Sequence, residues 1–152
     1  MSVDLTVSGS RPDDVGRTVY EAEHESDLNH KGEILDRLLG ALAEAGVFEG
    51  VQSRVHARLC ADEALVNAMR HGNERAPEKS VYVKGMVDPD ERRWGVRVED
   101  EGAGFDPGEL PDAVGPEGRE KEDGRGVLIM KRIMDELTYY DHGRGLLMVA
   151  SF

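Results

Sequence analysis

The apolar period of this chain changes once, and that change limits its fold. From about residue 27 to residue 70, apolar residues recur at spacings of three and four, as on one face of a helix. From residue 80 to residue 100 they alternate, as in strands with one buried face. In the first region Ile34, Leu35, Leu38, Leu39 and Leu42 form a stripe, with Ser26 or Asp27 as the candidate N-cap and Gly46 as the stop. A second helix is predicted over roughly 51–70, with Val51, Val55, Leu59, Val66 and Met69 on its apolar side. "SVYVKGMV" (80–87) and "WGVRVED" (94–100) then place Val81, Val83, Val87, Trp94, Val96 and Val98 on inner faces, around the turn "DPDERR".

The flanks complete the pattern. "RTVYEAEH" (17–24) reads as a strand, "GVLIMKRIMDEL" (126–137) as a third helix, and "LTYYDHGRGLLMVASF" (137–152) as a hairpin closed between 141 and 145. Strands grouped beside helices, without regular βαβ alternation, predict an α/β (α+β) fold: a two-layer sandwich with helices on one face of a mixed sheet. Residues 1–16 are mostly polar and read as a loose arm, with a short strand at 5–7. Residues 17–152 make one domain. Between Gly102 and Gly126 lie about 25 residues rich in Gly, Pro and acid without a core pattern. A gap this long in a compact domain is usually functional or mobile.

Charge excludes some functions. Net charge is −12, whereas a general nucleic-acid binder needs a basic face to displace counterions from phosphates. A small phosphate ligand needs only local N–H groups and a few cations. No run of about 18 apolar residues is present, so no membrane span is expected. The N-terminus lacks a basic start followed by an apolar stretch, so it does not read as a signal peptide. Cys60 is the only cysteine, which rules out an internal disulfide and fits a cytoplasmic protein. It reads as buried packing, and Trp94 reads as core. His24, His30, His56 and His142 show no ligand spacing.

Three short stretches can carry chemistry. In "DEALVNAMRHGN" (62–73), Glu63 and Asn67 lie four apart and share a helix face, and Arg70 and His71 continue it one turn on. The stripe is either a solvated surface or a site. As a site, an amide oxygen would help hold Mg²⁺ and a carboxylate one turn away would take a proton. His71 also suits the helix C-terminus electrostatically. Asp62 falls on the apolar side and needs a partner. In "VEDEGAGFDP" (98–107), Asp100 ends a strand and Gly102 and Gly104 follow. That is either a strand-end turn or a carboxylate that accepts from an exocyclic amine, with glycines admitting a flat ring. In "DGRGVLIMKRI" (123–133), two glycines precede a predicted helix start. Free N–H groups and the dipole there suit a phosphate, though a lone GxG is weak by itself.

Taken in order, these stretches resemble the motifs of the GHKL superfamily of ATP-binding domains. This is the Bergerat fold shared by gyrase, a heat-shock chaperone, histidine kinases and mismatch-repair ATPases. The sequence is similar in particular to the small anti-sigma factor serine/threonine kinases of bacteria. "DEALVNAMRHGN" resembles their N box, "VEDEGAGFDP" their first glycine box and "GRGVLIMKRIMDEL" their second. The resemblance covers roughly residues 20–152.

It implies a role for each matching residue. Asn67 would coordinate Mg²⁺, and Glu63 would be the general base toward an acceptor serine. Arg70 and His71 would lie on the phosphate side. Asp100 would bind the adenine amine, with Gly102 and Gly104 shaping that wall. Gly124, Arg125, Gly126 and Val127 would wrap the phosphates, and residues 106–123 would form an ATP lid. The resemblance implies ATP and Mg²⁺ as ligands, and a sigma factor and a phosphorylatable antagonist protein as partners. A homodimer would hold the sigma factor. The alternative is a non-catalytic switch in which ATP binding controls a protein interface.

Overall fold

The computed structural model describes residues 3–73, 76, 78–104 and 122–152. Its strands are β1 (Leu5–Val7), β2 (Arg17–Glu25), β3 (Ser80–Asp88), β4 (Arg93–Asp100), β5 (Glu136–Tyr140) and β6 (Gly145–Ser151). They form one mixed sheet in the order β1-β5-β6-β4-β3-β2. β1 runs parallel to β5 and every other neighbouring pair is antiparallel. The helices are α1 (Lys31–Glu44), α2 (Val51–Val66) and α3 (Glu122–Ile133). They pack on one face of the sheet, as the period change predicts. None of the described helices is long and apolar enough to cross a membrane.

The helix-side core joins the α1 stripe to alternate residues of the central strands. Ile34, Leu35, Leu38, Leu39 and Leu42 are all buried, against Val81, Val83, Val87, Val96 and Val98. Burying each such side chain contributes roughly 1.5–3 kcal/mol before entropy is counted. Trp94 lies in the same core, edge-on to Phe48 at 5.7 Å. α1 stops at Gly46, whose φ of 81° suits a residue without Cβ. Asp27 caps the helical start differently from expectation. Its Oδ1 accepts from Asn29 N at 2.9 Å at the head of a 3₁₀ turn, Leu28–His30, that leads into α1.

Two helix assignments need correction. The apolar side assigned to the second helix holds at Met69, which is fully buried, but not before it: Val51, Val55 and Leu59 are 82%, 46% and 44% exposed. The buried face is Ala57, Cys60, Ala61, Ala64, Leu65 and Ala68. α2 is packed by both α1 and α3, and small side chains let three helices come close over the sheet. Asp62 finds its partner in α1, with Lys31 Nζ 2.7 Å from its Oδ1. α3 begins four residues before the predicted start and ends at Ile133. Asp135 then turns the chain toward β6: its N–H donates to Val149 O at 2.8 Å, and its Oδ2 accepts from Ser151 N at 2.6 Å. Glu136, expected in the helix, is thereby a strand residue opposite Val149, and Leu137, where the predicted helix and hairpin met, pairs with Met148.

The N-terminal arm is docked rather than loose over its described length. β1 extends the sheet at its edge, and Val15 packs on the helix-free face with Met86, Tyr140, Leu147 and Val149. Arg97, fully buried there, donates to Pro12 O at 2.8 Å, Asp14 Oδ1 at 3.1 Å and Tyr140 Oη at 3.0 Å. Lys84 Nζ lies 2.6 Å from Asp14 Oδ2, and Arg11 bonds Glu99 at 2.9 Å. A buried guanidinium needs several acceptors, and the arm supplies two of them.

Candidate nucleotide site

The helix that carries Glu63 changes its pitch just beyond it. After Val66, residues Asn67–Gly72 form a π-helical turn, closed by Asn73 N donating to Ala68 O at 2.8 Å. An i→i−5 turn is rare and often found at functional sites, because the extra residue re-aims the side chains that follow it. Glu63, Asn67 and Arg70 are half-buried, along the margin between the packed and open sides of the helix. The backbone of His71 lies in the same turn.

Asn73 ends that turn and is fully buried. Its Nδ2 donates to Ser80 O at 3.0 Å, at the start of β3. Its Oδ1 accepts from Glu101 N at 2.8 Å, one residue past Asp100. One amide therefore joins the Glu63–Asn67 segment to the loop that follows β4. Asn73→Ala should destabilise the fold by about 2–3 kcal/mol, because it leaves a part-buried carbonyl and N–H without partners. The midpoint of urea unfolding measures this, and a loss under about 0.5 kcal/mol would show that water replaces the amide.

Asp100 ends β4 on the helix-side face, in register with Trp94, Val96 and Val98. It pairs with Val81 across the sheet. Its Oδ1 accepts from Gly102 N at 2.8 Å. Burial pushes its carboxyl up to about 6, although the Gly102 N–H and the charges of Arg144 and Lys79 pull it down; Asp141 adds to the rise. A carboxyl so placed has given up much of its water, which suits a group waiting for a hydrogen-bond donor. Gly102 is buried. Gly104, at φ 82°, approaches the next turn so closely that a Cβ would lie 2.4 Å from His142 O.

α3 closes the other side of Glu63. A Cβ at Gly126 would lie 2.5 Å from Glu63 Oε2, so any larger residue there would require the tip of this side chain to shift. Here the sequence expectation is corrected. Gly124, Arg125, Gly126 and Val127 do not precede a helix; they lie inside α3, which starts at Glu122. Gly126 and Val127 are past the first four N–H groups, the ones a helix leaves free. The glycine serves a helix-to-helix approach, at a cost of about 1 kcal/mol relative to alanine. Val127 is buried in the core. Residues 106–121 of the expected lid lie outside the described residues, and Glu122 and Asp123 belong to α3.

The arrangement thus joins a carboxylate and an amide one helical turn apart, a desolvated carboxyl at a strand end, and a helix seated on the first of these. A family model described as "Histidine kinase-like ATPase domain" matches residues 24–151. The chain belongs to this family. No curated protein matches the chain.

A histidine kinase-like ATPase domain binds ATP, and the residues present fit that ligand. Asp100 offers a desolvated acceptor at the end of β4, and Gly104 is held against the His142 carbonyl beside it. The described residues contain no group of three His, Cys, Asp or Glu that could cage a metal. An amide oxygen such as that of Asn67, with phosphate oxygens, is a donor set that suits Mg²⁺, which keeps most of its waters. Two residues given no role in the three motifs also belong to the site's frame: Asn73, at the end of the first motif, and Arg144, outside all three. Asn73 stands in the quoted "HGN", where it reads only as a helix stop. Arg144 has no sequence signal at all.

Proposed function

We propose that this histidine kinase-like ATPase domain is an ATP- and Mg²⁺-dependent protein serine/threonine kinase that also regulates by binding. It would phosphorylate a serine on a small antagonist protein and hold a sigma factor, in the cytoplasm and as a homodimer. The similarity of its three motifs to anti-sigma factor kinases supports this reading. So does the net charge of −12, which complements a basic partner face.

The observation that carries the reading is the placement of Glu63. It stands one turn before Asn67 and is pressed by α3 at Gly126. Asp100 would accept from the adenine amine, Asn67 would hold Mg²⁺, and Arg70 and His71 would lie toward the phosphates. When bound, Mg²⁺ would offset the phosphate charge. Glu63 accepts the proton of the serine hydroxyl as the serine oxygen bonds the γ-phosphorus. The bond from that phosphorus to the β–γ bridging oxygen breaks, and ADP leaves with the electron pair. Such a transfer asks the protein for position and charge more than for covalent chemistry.

Calorimetric titration of ATP with and without Mg²⁺, beside Asn67→Ala, tests the nucleotide half. The expected result is Mg²⁺-dependent binding that the substitution weakens about tenfold or more, the loss of one charge-assisted contact. Binding that ignores both Mg²⁺ and Asn67 would overturn the assignment. Binding as expected, but with no transfer to serine on any antagonist, would favour the non-catalytic switch.

A further inference from the structure

The loop that carries the first glycine box is held by more than its own Asp100–Gly102 bond and the Asn73 amide. It is seated on the β5–β6 turn, which no motif covers. In that turn Asp141, His142 and Gly143 all have left-handed φ, at 51°, 55° and 83°. Two non-glycine residues in that region are uncommon, and such backbones persist only where their surroundings over-determine them. The turn is closed by its own backbone, with Gly143 N donating to Tyr140 O and Arg144 N to Asp141 O, each at 3.1 Å.

Four contacts make the seat. Asp100 N donates to Arg144 O at 2.9 Å. Arg144 Nε donates to Gly102 O at 2.8 Å, and Nη2 to Ala103 O at 3.2 Å. Gly104 rests on His142 O with no space for a Cβ. Nη1 reaches back to Asp141 Oδ1 at 3.3 Å and so fixes the guanidinium plane within its own turn. The β4–β6 ladder has already ended, with Glu99 opposite Gly145. The guanidinium contacts therefore go to the loop and not to the sheet. A planar fork that grips two successive carbonyls fixes both height and tilt, which a single ammonium cannot do.

We propose that Arg144 is a positioning residue for base recognition: by clamping the Gly102 and Ala103 carbonyls, it sets the Asp100 carboxylate at the angle that selects adenine over guanine. This rests on the ATP-binding reading of Asp100. A carboxylate alone accepts from the amine of either purine. Discrimination needs its oxygen fixed relative to the ring edge, where adenine presents its amine and guanine presents a carbonyl. Loosening the loop should cost selectivity more than total binding.

The test is competition of ATP and GTP, each with Mg²⁺, against a fluorescent adenine nucleotide on wild type, Arg144→Gln and Arg144→Lys. The expected result is an ATP-over-GTP preference in wild type that falls about tenfold in Arg144→Gln. Arg144→Lys, which keeps the charge but not the fork and should preserve the fold, should fall by a lesser amount. A role in stability alone would lower the melting temperature and leave the ratio of the two affinities unchanged. An unchanged ratio in both folded variants would overturn the Arg144 inference while ATP binding itself stood. Failure of wild type to bind ATP would overturn the nucleotide reading beneath it.

Discussion

Glu63→Gln should lower phosphoryl transfer to the partner serine by about 10²–10⁴-fold, the usual contribution of a positioned general base. ATP affinity should change by less than about threefold. Glutamine has the shape of glutamate, so it still packs on Gly126, where a larger or displaced group would meet α3. What it lacks is the ability to take a proton at neutral pH. The test is incorporation of γ-labelled phosphate into an antagonist protein, with calorimetry of ATP on the same variant. Transfer at the wild-type rate would remove Glu63 from the role of base. Loss of ATP binding together with transfer would make it part of the nucleotide site instead.

A companion substitution separates position from proton transfer. Gly126→Ala keeps the carboxylate but crowds it, since the new Cβ would sit 2.5 Å from Oε2 unless Glu63 or α3 moves. It should cost transfer as well, although alanine favours the helix by about 1 kcal/mol. If Gly126→Ala gained stability and kept full activity, the contact between α3 and Glu63 would have no part in the reaction.

The same pair shows what was legible in the sequence. Glu63 and Asn67 were readable because a helix converts a spacing of four into a shared face. The alternation of β3 and β4 gave the inner residues, since period two leaves little choice of face once one side is buried. The α2 face was misread because its buried stripe is Ala, Cys and Leu. Its many alanines carry a weak hydrophobic signal, while three larger apolar residues point to solvent. The start of α3 was misread because glycines look like a loop until the partner that demands a missing Cβ is known. Asn73, Arg144 and Arg97 act through bonds to residues 7 to 85 positions away in sequence, and no local pattern encodes such partners.

Asp100→Asn should separate stability from function. The folded carboxyl titrates near 6 against an ordinary value of 3.8, so the folded chain holds this proton more tightly than the unfolded chain does. The favourable contribution is then full below 3.8 and is lost as pH rises through about 6. At pH 8 the ionised group weakens the fold, and asparagine should relieve this by about 1 kcal/mol once partial exposure is discounted. That corresponds to roughly 2–4 °C in melting temperature for a chain of this size. Near pH 4 the gain should vanish. The opposite holds for ATP. The Gly102 N–H keeps the amide oxygen of the new side chain, so its NH₂ turns toward the adenine amine and donor meets donor. Affinity should fall roughly 10- to 150-fold, the range for hydrogen bonds to a charged group. Wild-type affinity should also decline as pH falls through about 6, where protonation removes the acceptor, and Asp100→Asn should lose that slope. Melting curves and ATP titrations of both proteins from pH 5 to pH 8 check each part. A variant that is no more stable at pH 8 would mean that Asp100 is better solvated than its burial implies. One that binds ATP as tightly as wild type would place the base elsewhere than at the end of β4.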